Sequence, residues 1–123
     1  MSEEAPFRLR RDAGAEGQKR DLQYPPLPEP LEVGTYDNHT HLDIVDGHEP
    51  LTAEQQLSLA NQAGILGVVQ VGVTLETSKW SAALAASDDR VLAAVALHPN
   101  EAPLYATEEE LFAAIAEIES LAS

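Results

Sequence analysis

The chain has 123 residues, no cysteine and a formal charge of −14. That is one domain's worth of sequence, without the thiols that disulfides or thiolate metal sites need. The acidity is uneven: residues 35–123 carry fourteen acidic side chains against only Lys79 and Arg90. Such a body has no basic stripe for gripping phosphates, which argues against a plain DNA-binding module; a nucleic-acid role would need metal cations or further parts of a protein. No segment is long and apolar enough to cross a membrane, and the N-terminus lacks the apolar core of a signal peptide. The expectation is a cytoplasmic protein with no membrane contact.

Residues 1–34 read as an extension. Residues 1–23 mix charges with Gly, Ala and Gln without any apolar period, a composition expected to be disordered or loosely held. "YPPLPEPLEVG" follows, and its four prolines predict an extended, polyproline-like lead-in. "PPLP" also suits an aromatic-lined groove of the SH3 type, but a stiff segment draped over the domain is the preferred reading, since short proline motifs are compositional signals.

From residue 35 onward strands and helices alternate. Thr35 to Asn38 is a short strand candidate that runs into "HTHLD". "LTAEQQLSLANQAG" predicts a helix, with Thr52 and Gln55 as a capping box and Gly64 suited to a left-handed end. Ile65 to Val73 is a β-branched run, apolar on both faces as a doubly covered parallel strand should be. "ETSKWSAALAASDD" predicts a second helix, with Trp80 and Leu84 on one face. Arg90 to Pro99 predicts a third buried strand, stopped by proline. Thr107 and Glu110 form another capping box, opening a helix striped by Leu111, Ile115, Ile118 and Leu121. The cluster Glu108 to Glu110 suits the positive end of that helix's dipole better than catalysis.

This βαβαβα order implies an α/β fold with a parallel sheet, either doubly wound or part of a (β/α)8 barrel. No glycine-rich phosphate loop follows the first strand. Histidine occupies the carboxyl ends of the first and third strands instead, where both architectures place their chemistry.

Side chains two apart on a strand point to one face, so His39 and His41 should converge and could share a cation. Asp37 and Asp43 have the same parity, and either could join the ligands or orient an imidazole. His98 ends the third strand and could contact substrate or merely cap it. His48, in the acidic loop "DIVDGHEP", is expected to be solvent-exposed.

"YDNHTHLD", then "VVQVGVT", then "VLAAVALHPN" resembles the opening of a TatD-family metal-dependent hydrolase, over about residues 35–121. The resemblance implies three βα units of an incomplete (β/α)8 TIM barrel, with residues 35–123 as the N-terminal portion of the hydrolase domain. It implies His39 and His41 as metal ligands and His98 as a substrate-binding residue. No catalytic residue is assigned.

The implied cofactor is one or two divalent ions (Mg, Zn or Mn), and the implied substrate is DNA or another phosphodiester. No protein partner is inferred. Ala96 stands where the family has glycine, and Asn100 where histidine is common, so no role passes to Asn100. A complete barrel takes about 250 residues, so the expectation is an N-terminal fragment, inactive alone, whose remaining ligands lie beyond Ser123. Another His-x-His phosphoesterase of the polymerase-and-histidinol-phosphatase type, or an inactive remnant, are the alternatives. "ALHPN" favours the first reading.

Overall fold

The computed structural model describes residues 8–9, 23–45 and 49–123. In chain order its elements are β1 (Arg8–Leu9), β2 (Thr35–Thr40), β3 (Ile44–Val45), α1 (Ala53–Gln62), β4 (Ile65–Val71), α2 (Leu75–Ser87), β5 (Val91–Ala94), a 3₁₀ turn (Ala102–Leu104) and α3 (Glu108–Leu121). β2, β4 and β5 make a parallel sheet with β4 in the middle, and β1 pairs separately with β3. The units β2–α1, β4–α2 and β5–α3 therefore follow one another as successive βα units of a TIM barrel do. Most of the expected irregular N-terminal stretch, and His48, lie outside the described residues.

Local chemistry fixes the helix ends. At α1 the reciprocal bonds of Thr52 and Gln55 form as their spacing implies. The helix closes on Gly64, whose φ of +92° is in the left-handed region that favours glycine. This glycine also touches the proline-rich lead-in: an added Cβ would lie 2.9 Å from the Leu31 Cβ. The Leu31 N–H donates to the Ala63 carbonyl at 3.0 Å, so the exposed lead-in is pinned to the end of α1.

α2 is capped by Thr74 and Thr77, each side chain accepting from the other's backbone N–H. The α3 capping box forms only by half. Thr107 accepts from the Glu110 N–H, but the Glu110 carboxylate turns past the cap to the Ala106 N–H.

The core is Leu42, Leu57, Val68 and Val91, with Ala53, Ile65, Trp80, Leu84 and Ala85 packed around it. Trp80 and Leu84 thus share a face, as their spacing of four requires. Each fully buried aliphatic side chain contributes about 1.5–3 kcal/mol relative to exposure.

Two expectations about the strands are corrected. The sheet is covered on one face only: Tyr36, Leu66 and Leu92 are 71%, 47% and 70% exposed, because both intervening helices lie over the Val68–Val91 side. In a closed barrel the other face is filled by side chains from further strands.

The third strand is also shorter than Arg90 to Pro99. The ladder stops at Ala94 because other groups capture the next amides. The Ala96 N–H donates to Ser78 Oγ at 3.0 Å, Ser78 Oγ donates to the Ala96 carbonyl at 2.9 Å, and the His98 N–H donates to the Val73 carbonyl at 2.8 Å. Gly72 permits this close seat of α2, since a Cβ there would lie 2.5 Å from Ser78 Oγ.

At the opposite end of β5, Arg90 binds Asp88 through Nε and Nη2 and reaches Glu54 at 2.6 Å. The hydrogen bond from Arg90 holds the Asp88 carboxyl below its ordinary range.

Candidate metal centre

The carboxyl end of β2 is shaped by two irregularities that offset one another. Thr35 pairs with Ile65 and Thr40 with Gln70, so the ladder starts and ends in one register. In between, β4 carries an extra residue at Leu66, and β2 carries one between Asp37 and Thr40. Asp37 Oδ1 accepts the His39 N–H at 3.1 Å within this bulge, a local side-chain-to-backbone bond typical of Asp. The Thr40 hydroxyl then donates to the Val69 carbonyl and returns β2 to the sheet.

The bulge does not separate the histidines. The His39 and His41 rings meet edge to face, with centroids 5.1 Å apart and planes at 76°. His39 is exposed and His41 half-buried. His41 Nδ1 lies 3.0 Å from the Val71 carbonyl. A carbonyl only accepts, so in the neutral ring Nδ1 carries the proton and Nε2 is the lone-pair nitrogen. A backbone-oriented imidazole of this kind is how proteins present a metal ligand.

His98 has the opposite arrangement. It is exposed, and its Nδ1 accepts the Asn100 N–H at 3.1 Å. In the neutral ring its proton therefore sits on Nε2, as a donor. His98 is on the same edge of the sheet as the pair, because β2, β4 and β5 run parallel and the His98 N–H is anchored on Val73. Asn100 acts here through its backbone, a job for which a histidine at that position is not needed.

Two imidazoles suit a divalent ion in kind, but they do not complete a ligand set. Among the described residues no group of three or more His, Cys, Asp or Glu is placed to hold a metal ion. Asp37 is engaged with the His39 backbone. Asp43 is fully buried, and its Oδ1 accepts from Gln70 Nε2 at 3.0 Å.

The turn after His41 rests on two glutamines that the sequence reading passed over. Gln70 Oε1 accepts the Leu42 N–H at 2.6 Å, and Gln56 Nε2 donates to the Leu42 carbonyl at 3.1 Å. A polar Gln70 inside the run "VVQVGV" was the available signal.

A family model described as TatD related DNase matches residues 36–123. The chain is similar to an uncharacterized metal-dependent hydrolase TatD of Mycobacterium tuberculosis (strain ATCC 25618 / H37Rv), at 42% identity over 66 residues. That alignment covers 54% of this chain and 25% of the relative, so the matched part spans about a quarter of that protein's length. No solved structure matches the chain. A family match over most of its length shows that this chain belongs to the TatD related DNase family.

Proposed function

We propose that residues 35–123 are the N-terminal portion of a metal-dependent hydrolase domain that cleaves phosphodiester bonds of DNA, with residues 1–34 as an extension to it. The observation that carries the reading is the pair of opposed imidazole settings on one sheet edge. His41 Nδ1 faces the Val71 carbonyl, which in the neutral ring puts the lone pair on Nε2, beside His39. His98 Nδ1 faces the Asn100 N–H, which in the neutral ring puts the proton on Nε2. His39 and His41 would hold one or two divalent ions as neutral ligands, and His98 would donate to an oxygen of the substrate phosphate. A bound divalent ion lowers the pKa of water and stabilises negative charge at the attacked centre. The family description and the relative's printed name support hydrolysis and metal use.

The test is chelator-sensitive cleavage of a DNA duplex by the complete hydrolase that carries this sequence. Cleavage lost in the His39→Ala, His41→Ala double variant supports the reading, and cleavage that survives in it rejects the site. A second reading, a folded remnant without a full site, is favoured by one observation: no third ligand joins the pair among the described residues. A full-length protein that carries this sequence, folds, and hydrolyses neither phosphodiesters nor other ester substrates with any added divalent metal would favour it.

A further inference from the structure

We propose that Gln70 is a positioning residue for the metal-binding pair. It fixes the turn that aims His41, and it touches neither metal nor substrate. The inference rests on the metal-holding role of His39 and His41 proposed above.

Gln70 is an unusual occupant of its place. It lies in the central strand β4, on the helix-covered side with Val68, and it is completely buried. A buried amide is costly unless its donor and acceptor are both used. Here both are spent on the two residues that follow His41. Oε1 takes the Leu42 N–H at 2.6 Å, and Nε2 donates to Asp43 Oδ1 at 3.0 Å. Leu42 is itself a core residue, and its carbonyl is held from α1 by Gln56. Leu42, the residue after His41, is thus held by its N–H from β4 and by its carbonyl from α1.

The ring of His41 is fixed from the same strand one residue further on, by the Val71 carbonyl. Gln70 holds the backbone and Val71 holds the imidazole, so the direction of Nε2 is set by two consecutive residues of β4. An aliphatic residue at position 70 would extend the apolar core. It would leave the Leu42 N–H and the buried Asp43 carboxylate without these partners. The choice of glutamine is accounted for by the turn it holds.

The experiment uses the full 123-residue chain and Co2+ as the probe, read by its visible spectrum, with Gln70→Met, Gln70→Glu and the His39→Ala, His41→Ala double variant beside the parent. Methionine keeps the volume and removes both hydrogen bonds, and glutamate keeps the acceptor for Leu42. Folding is checked by circular dichroism. The 15N resonances of His41 in the metal-free protein report its tautomer. The proposal expects a folded Gln70→Met chain that binds Co2+ about 10-fold to 100-fold more weakly, the range seen when a ligand's supporting partner is removed. It also expects His41 to lose its single Nδ1–H form there.

Equal Co2+ affinity and an unchanged His41 spectrum in the folded Gln70→Met chain overturn the positioning role while leaving the metal pair intact. A Gln70→Glu chain that behaves as Gln70→Met does would show that the Leu42 acceptor is not what matters, which also overturns it. If the parent does not bind Co2+, or the double variant binds it equally well, the metal reading itself fails and this inference with it. If neither Gln70 variant folds, Gln70 serves folding and the positioning role is rejected.

Discussion

His41 Nδ1 sits 3.0 Å from the carbonyl of Val71, a bond from the residue after β2 to the end of β4 that places the proton of the neutral imidazole on Nδ1. Metal held by the proposed pair would compete with protons for the nitrogen lone pairs. Zn2+ affinity of the chain is therefore expected to fall steadily as the solution is acidified, with proton release on binding. Calorimetric titration in buffers of different ionisation enthalpy measures both. An affinity independent of pH would place the metal elsewhere.

Much of the fold is legible because each element carries its signal locally. The alternation of apolar runs with capped helices, Thr52 with Gln55, and Gly64 at a left-handed turn all act within a few residues. What escaped the sequence acts over distance or through an unusual residue. Thr77 caps α2 as Glu or Gln more commonly does, so a search for the usual box finds nothing at Thr74.

The early end of β5 depends on the Ser78 hydroxyl, which reaches Ala96 from eighteen residues away. The histidine pair itself was readable from two-residue spacing. The bulge between Asp37 and Thr40 was not, because it is set by the extra Leu66 on the neighbouring strand.

Thr77 offers a direct check on that missed cap. Its hydroxyl accepts the N–H groups of Val73 and Thr74, each at 2.9 Å. Thr77→Val keeps the shape and strips these part-buried donors of their partner, which costs on the order of 1 kcal/mol or more. Chemical denaturation should show that loss. A variant as stable as the parent would mean that the loop rebuilds its bonds elsewhere.

Gly64 combines a conformational and a steric demand. A left-handed φ costs a residue with a Cβ about 1–2 kcal/mol, and here the Cβ would also press on Leu31. Gly64→Ala should lower the unfolding midpoint and loosen the proline-rich lead-in, seen as faster amide exchange at Leu31. A stabilised variant would show that φ readjusts without penalty.

Arg90 makes stability depend on acid. Its hydrogen bond holds the Asp88 pKa in the folded chain below the ordinary aspartate value. A depressed carboxyl gives stability that is complete above the unfolded value and is lost as pH falls through the folded one. The loss therefore lies below about pH 4, given an unfolded aspartate near 3.9. Arg90→Ala removes the partner and should flatten this part of the profile, leaving a less stable protein at neutral pH. Urea midpoints measured from pH 2 to 7 decide it, and identical slopes in parent and variant would remove Asp88 as the cause.

The chain of 123 residues by itself is expected to bind divalent metal without cleaving DNA. Water activation needs a fixed coordination number, an open position and support behind each ligand. His41 has that support from Val71, while exposed His39 is held through its backbone by Asp37 in a bulge. Two imidazoles without a third ligand among the described residues leave the ion loosely fixed. The uncovered face bearing Tyr36, Leu66 and Leu92 also leaves the sheet beneath the site open to water. Electrostatic stabilisation in such a setting is weakened by the surrounding dielectric.

Incubation of a labelled duplex with the purified chain and Mg2+, Mn2+ or Zn2+ should therefore give no cleavage above that of the His39→Ala, His41→Ala variant. Supplying further βα units should raise turnover, as the open face is covered and further ligands are added. Robust chelator-sensitive cleavage by the 123 residues alone, lost in the double variant, would show instead that two histidines and His98 suffice.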